Sequence, residues 1–404
     1  MENMKRMVSQ IAYTHCRDFS NLPSLQRSLI PFLSFTSSLY RFLLSIRHQL
    51  YQLGFFRKHR LPVPVVSVGN LTWGGNGKTP MVEFISLCFA QAGISPLILT
   101  RGYGGGDEAK MLQRHLLQTP AKIGVGANRV RTAAWFFKRY GYTNPRSSGR
   151  AVFPQEHSTA YGDEVDMSFD SDKIGAVILD DGMQHWSLER DLEILMVNGM
   201  MPWGNGHLVP LGPLREPLTE INRADVAVVH HADMVSDKDL KDLVLMMQEI
   251  KENLPIYFTR LAPSHFFEVK NRYSKHPIEV VCGMVVLCVS AIGFANAFIQ
   301  AIAKMGPLYV DRLDFNDHHL FEAKVRNFIF CLHYMIMSNF RSGNKYHIMG
   351  KHVAPVSSFY SFWTRFSSHC KREKNKTMNL DPLYLLSKLR SLLRACSRSC
   401  TEGK

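Results

Sequence analysis

With 404 residues, 46% of them hydrophobic, the chain can bury a large core and divide into two or three domains, which excludes a small disulfide-stapled scaffold. A formal net charge of +14 disfavours cationic partners; it leaves phosphorylated substrates, anionic lipid and nucleic acid as classes that charge alone does not separate. Eight cysteines without C-x-x-C spacing argue against a zinc site or a disulfide framework and for a reducing compartment.

In chain order, residues 1–28 carry several basic and hydroxyl residues against only Glu2 and Asp18 as acids, the composition of a transit segment or extension. Leu29 to Phe56 reads as a helix, apolar on one side and dotted with Arg41, Arg47 and His48, with Arg57 and Lys58 just beyond. Such a helix lies in the interface of an anionic membrane or packs on the protein's own core.

A Val-rich strand, Pro64 to Val68, then runs into a glycine-rich turn that ends in Lys78-Thr79, followed by an apolar helix from Met81 to Ala92. That order of strand, turn and helix is the pattern of a phosphate-binding loop. Backbone N–H groups of Gly74, Gly75, Asn76 and Gly77 would wrap nucleotide phosphates, Lys78 would reach the outer ones, and the Thr79 hydroxyl would hold Mg²⁺. The first glycine of the usual G-x-x-x-x-G-K-[ST] pattern is replaced by Thr72. A nucleoside triphosphate is the implied ligand.

Strands and helices alternate onward: strand Leu97 to Thr100, helix Ala109 to Leu117, strand Lys122 to Gly126, helix Arg129 to Arg139. Alternation of this kind predicts a parallel sheet covered on both faces. Asn144 to Asp172, polar and rich in Gly, Pro and Ser, breaks the rhythm as an insertion or long loop. The strand Ile174 to Leu179 follows and ends in Asp180-Asp181-Gly182, carboxylates placed to hold Mg²⁺ beside a phosphate loop. Strands Glu193 to Asn198 and Asp225 to His230 bracket the loop Gly206 to Pro217, and after Pro255 the pattern weakens. Val280 to Ala303 has no Asp, Glu, Lys or Arg, but Gly283, Ser290, Gly293, Asn296 and Gln300 interrupt it. It reads as a strand (Val285 to Val289), a turn and a helix (Ala295 to Met305) rather than a membrane span. From about Phe321 the alternating pattern ends and basic residues concentrate.

The fold class predicted is α/β, a P-loop NTPase-like parallel sheet flanked by helices, with an N-terminal amphipathic helix and a smaller C-terminal lobe. The domains expected are a transit segment or extension (residues 1–28), a membrane-associating helix (29–60), the kinase core (61–275), a C-terminal lobe (276–325) and a basic tail (326–404).

Phosphoryl transfer also needs a base for the acceptor hydroxyl. Two Gly-Asp-Glu triplets offer one, at Asp107-Glu108 and Asp163-Glu164, and residue chemistry does not rank them. His318, in Asp317-His318-His319, could tune such a base, and Arg101, Arg129 and Arg215 could bind substrate phosphate. Two rival functions stand beside a kinase. A nucleotide switch would need an N-K-x-D motif, and none follows Asp181 at a workable position; a catalytically impaired homologue would bind membrane or nucleic acid through its basic surface.

Taken together, the runs PVPVVSVGNLTWGGNGKTP, LTRGYGGGDE, ILDDGMQHWSLERDLEI, LVPLGPLREP with NRAD, and LDFNDHHLF resemble the tetraacyldisaccharide 4'-kinase family, the lipid A kinases of the lipopolysaccharide pathway. They occur in family order over roughly Pro31 to Phe321, and Thr72 matches the family's own form of the loop. The resemblance implies ATP and Mg²⁺ as cofactors, and as acceptor the 4'-hydroxyl of an acylated glucosamine disaccharide that already bears a 1-phosphate. It makes Asp107 the catalytic base with His318 as its partner. Glu108, Asp180 and Asp181 then stand beside the metal, and Arg101, Tyr103, Arg129 and Arg215 near the substrate. It makes the N-terminal helix a peripheral membrane dock, with no specific nucleic acid and no protein partner expected. After Leu320 the family's Thr-Glu-Lys-Asp-like segment has no counterpart. The loop at 144–172, the N-terminal extension and the altered end favour a mitochondrial, plant-type member over an enzyme of the cytoplasmic face of a bacterial inner membrane.

Overall fold

The structure, a computed structural model, describes residues 2–102, 107–143, 173–261, 263, 265–267, 275–292 and 295–315. The chain divides into two compact units after Thr259. The first takes in the two N-terminal segments as well as the core.

The first unit is built on a seven-stranded parallel sheet in the order β3-β2-β4-β1-β5-β6-β7. Its strands are β1 (Val65–Gly69), β2 (Ser95–Thr100), β3 (Lys122–Val125), β4 (Ile174–Asp180), β5 (Leu192–Asn198), β6 (Val226–His230) and β7 (Ile256–Thr259). Strands β1, β4, β5 and β6 are mostly apolar and buried nearly throughout because both faces of the sheet are covered, so alternation carries no benefit. On one face Val65, Leu97, Leu99, Val177 and Leu179 pack against Ala133 and Phe136 of the helix Arg129–Tyr140. Farther along the same face, because Leu195 is in register with Gly69, Leu195, Val197, Ala227 and Val229 pack against Leu243 and Met247 of the helix Asp237–Ile250, whose first turn is capped by Ser236 accepting from Asp239 N–H at 3.2 Å. Sequence reading missed β7, which follows Pro255 directly; four residues are too few to show a period.

Two helices precede the sheet, α1 (Glu2–Tyr13) and α2 (Ser24–Gln52). Ile11, Leu22, Leu33 and Leu211 bury together, so the predicted extension packs onto the core. The helices α3 (Lys78–Gln91), α4 (Asp107–His115), α5 (Arg129–Tyr140) and α6 (Asp237–Ile250) complete this unit.

Within the second unit, β8 (Phe266–Phe267) pairs with β9 (Lys275–His276), and β10 (Val285–Ser290) pairs in parallel with β11 (Tyr309–Asp314) around α7 (Ala295–Ala303). The uncharged stretch is therefore a strand and a helix, as its interruptions predict.

The register places the chemistry. Val68 of β1 lies opposite Asp180 of β4, so the loop that follows β1 and the aspartates that end β4 emerge side by side at the carboxyl edge of the sheet. Strands β2, β3 and β4 lie to one side of β1 and β5, β6 and β7 to the other. Ligands of open α/β sheets bind at such a reversal.

Candidate active site

The loop from Asn70 to Gly77 is held at both ends. Near its start, Thr72 pairs with Leu214, Trp73 N–H donates to Pro213 O at 3.0 Å, and Arg215 N–H donates to Leu71 O at 2.6 Å. Thr72 is 4% exposed and its hydroxyl accepts from Asn76 Nδ2 at 2.9 Å, so the residue in place of glycine braces the loop from within. Gly74 and Gly77 take φ of 96° and 74°, the left-handed turns that let successive amides face one way. Asn198 Nδ2 at the end of β5 donates to Gly75 O at 3.5 Å. Behind Gly77 stands His230, whose Cδ2 lies 2.6 Å from where a Cβ on that glycine would be. The turn delivers Lys78 and Thr79 as the first residues of α3, at the positive end of the helix.

At the tip of β4 the two aspartates differ. Asp181, itself at a positive φ of 51°, accepts from Arg215 Nη1 on both carboxylate oxygens at 2.8 Å and lies 3.6 Å from Lys78 Nζ. Burial works against its charge, but Lys78, Arg215 and Arg129 outweigh it and hold the carboxyl down at about 2. Asp180 is 1% exposed, and neither of its carboxylate oxygens has a hydrogen-bond partner among the described residues. Burial first, then Glu108, raise its carboxyl to about 7; Lys78 and Arg129 oppose the shift and Asp181 adds to it. A buried carboxylate with both oxygens free, next to a lysine and the start of a helix, has the chemistry of a cation ligand awaiting its cation.

The predicted residues come together in part. Lys78, Thr79, Asp180, Asp181 and Arg215 converge, with Glu108 close enough for its charge to act on Asp180. Asp107 opens α4, and its side chain lies outside the described residues, as do Tyr103, His318 and Asp163. Arg101 is exposed just past β2.

Two of the expected residues are held by the protein itself. Arg129 is 2% exposed, and its guanidinium donates to the backbone carbonyls of Asp180 and Asp181 at 2.5 and 3.1 Å, fixing the bend that ends β4. Arg215 and Asp181 are paired with each other, whereas both carboxylate oxygens of Asp180 lack a hydrogen-bond partner among the described residues.

Sequence reasoning passed over the residues that hold this tip. Gln184 donates to Asn70 O at 2.9 Å and to Glu216 at 3.2 Å, and its own Oε1 accepts from Arg215 at 3.3 Å. Glu216 also accepts from Trp186 Nε1 at 3.1 Å and pairs with Arg223, whose guanidinium lies over the Trp186 ring. The signal was in the runs DDGMQHW and PLREP, where these residues adjoin Asp181 and Arg215.

Several known proteins are similar to this chain. The family model described as tetraacyldisaccharide-1-P 4'-kinase matches residues 29–332. A protein of Arabidopsis thaliana named probable tetraacyldisaccharide 4'-kinase, mitochondrial, is 56% identical over 324 residues, 80% of each chain. The tetraacyldisaccharide 4'-kinase of Aromatoleum aromaticum is 31% identical over 304 residues, covering 71% of this chain and 76% of that one. Among solved structures, "apo" form LpxK from Aquifex aeolicus in complex with ATP is 24% identical, with a TM-score of 0.47, covering 73% of this chain and 83% of its own. The extent of the family match and the 56% identity of a relative covered over four-fifths of its length show that this chain belongs to the tetraacyldisaccharide-1-P 4'-kinase family.

Proposed function

We propose that this chain is an ATP-dependent kinase that phosphorylates the 4'-hydroxyl of a tetraacyl glucosamine disaccharide 1-phosphate, giving lipid IVA in lipid A biosynthesis. The observation that carries the reading is the juxtaposition of Lys78, at the mouth of a phosphate loop, with the unpartnered carboxylate of Asp180. Family membership supplies the acceptor.

Loop amides and Lys78 neutralise the triphosphate and keep its outer phosphate fixed, while Arg215 and Asp181 keep the Lys78 ammonium aimed. Thr79 and Asp180 are the residues that would hold Mg²⁺, with Glu108 beside them. Two protein oxygens are a fitting donor set because Mg²⁺ keeps waters and phosphate oxygens for its remaining positions, and no cluster of three or more His, Cys, Asp or Glu occurs among the described residues. Bound there, the ion supplies charge neutralisation of the outer phosphates. Asp107 takes the proton of the sugar hydroxyl as that oxygen attacks the γ-phosphorus and the bond to the β–γ bridging oxygen breaks, ADP leaving with the electron pair, and His318 tunes the base. Arg101 and Tyr103 contact the substrate.

The reaction belongs at a membrane surface. Phe32, Phe35, Leu39, Phe42, Leu43 and Ile46 are exposed on one stripe of α2, which carries no Asp or Glu and adds Arg27 and Arg41. By length and composition α2 could cross a bilayer. Its opposite face is hydrogen-bonded to the sheet's loops, however, which favours a helix lying in the interface. The name of the Arabidopsis relative supports a mitochondrial location.

The test is incubation with ATP, Mg²⁺ and the disaccharide 1-phosphate in mixed micelles, reading the bisphosphate by mass. Its formation supports the reading; ATP binding with no product would leave a nucleotide switch or an impaired homologue.

A further inference from the structure

Helix α2 is amphipathic in the reverse sense for a surface helix. Its apolar stripe faces outward, and the stripe of Ser37, Tyr40, Leu44 and Arg47 turns toward the loops of the carboxyl edge. Each polar member of that inner stripe makes a bond to loop backbone. Ser37 Oγ donates to Leu208 O at 2.8 Å and accepts from Leu211 N–H at 3.0 Å. The Tyr40 hydroxyl donates to Arg215 O at 2.8 Å, on the very residue that clasps Asp181. Arg47 Nη2 donates to Gln184 O at 2.6 Å, and its guanidinium lies 5.2 Å from the centre of the Trp186 ring. Gln184 in turn touches Arg215. Two bonds therefore lead from one rigid helix to both loops that frame the Arg215–Asp181 pair, and through Asp181 to Lys78.

We propose that Tyr40 and Arg47 are positioning residues for the Arg215–Asp181 pair, so that lipid on the outer face of α2 and nucleotide at the phosphate loop are coupled through this helix. The proposal rests on the reading of α2 as a membrane-lying helix.

The physical reason is how α2 is attached to the protein. Its buried positions are Gln26, Leu33 and Ser37, with Leu29, Ile30, Tyr40 and Leu44 half-buried against the core; these apolar contacts are non-directional, so the fine register falls to the inner hydrogen bonds. With the outer stripe in water, the helix is restrained from its inner side. Seating that stripe in lipid holds it, and with it the carbonyls of Arg215 and Gln184. Coupling of this kind is reciprocal: nucleotide must strengthen lipid binding by the factor by which lipid strengthens nucleotide binding.

The experiment uses the full chain and a slowly hydrolysed fluorescent ATP analogue with Mg²⁺, titrated with and without vesicles of phosphatidylcholine and phosphatidylglycerol. Vesicles raise the affinity of the wild type about fivefold, the scale of one well-placed hydrogen bond. Tyr40→Phe, which removes one hydroxyl, and Arg47→Met sediment with vesicles as the wild type does and stay folded at the assay temperature, but show less than about a twofold rise. An undiminished rise in both variants, or none in the wild type, overturns the proposal. Because the titration needs no acceptor sugar, a chain that failed to phosphorylate the disaccharide would still decide it.

Discussion

Arg215 Nη1 reaches both carboxylate oxygens of Asp181 at 2.8 Å, joining the loop after β5 to the tip of β4 across 34 residues of sequence. The pair keeps Asp181 ionised next to Lys78, and the residue's left-handed φ shows backbone strain retained at the site. Arg215→Met should leave that carboxylate in a largely buried place with one cation fewer. A double-mutant cycle with Asp181→Asn should give a coupling of about 2 kcal/mol by denaturant unfolding, in the range for contacting charged groups. Simple additivity would mean the pair contributes nothing.

Lys78 makes its ion pair at 3.6 Å with a partner that Arg215 also holds, so its loss leaves Asp181 compensated. Lys78→Ala should therefore unfold at nearly the wild-type temperature while transfer to the disaccharide falls by at least about 10³-fold, the scale of a lost transition-state charge. Full activity in the purified variant would refute the assigned role.

Gly77 should tolerate no side chain. Its φ is 74°, and an added Cβ would sit 2.6 Å from His230 Cδ2 on a ring that is 1% exposed and tied to Thr259 Oγ1 at 3.1 Å. Gly77→Ala should cost about 3 kcal/mol, combining a left-handed penalty with overpacking, and should weaken ATP binding. Chemical denaturation and nucleotide titration read the two effects; a loss under about 0.5 kcal/mol would show that His230 can yield.

Acid should destabilise the fold through its buried histidines. Burial lowers His231 to about 4 from an ordinary 6.5, and burial with the neighbouring His231 holds His230 well below the ordinary value too. Between those values the unfolded chain binds protons that the folded chain refuses, so stability is full above about pH 6.5 and falls as pH drops toward 4. The loss from His231 is on the order of 3 kcal/mol. His231→Asn should flatten the decline of Tm across this window, and an unchanged slope would remove the assignment.

The ranking of the two Gly-Asp-Glu triplets is directly testable. Asp107 opens α4, immediately before Glu108, whose charge acts on Asp180. Asp107→Ala should lose turnover by about 10²-fold or more, with Asp163→Ala close to wild type, as expected for removal of a general base. Equal losses would put the base elsewhere.

The sequence alone determined the parallel sheet, the phosphate loop and the aspartates at the end of β4. Each is written in local order: continuous apolar runs, a glycine-rich turn before Lys78-Thr79, and a carboxylate where a strand stops. It also showed that α2 has an apolar side. What only the tertiary structure decided is which partners meet. Asp180 and Asp181 are neighbours of one type, and the structure leaves the first unpartnered while binding the second to Arg215. Arg129 looks like any basic residue near a strand end until its side chain is found folded onto the β4 tip. Helical period marks a stripe without saying which way it faces, and in α2 the polar stripe faces in because the loop carbonyls of Leu208, Arg215 and Gln184 lie beneath it. Periodicity is a property of neighbours along the chain; pairing of charges and hydrogen bonds depends on residues that only the folded chain brings together.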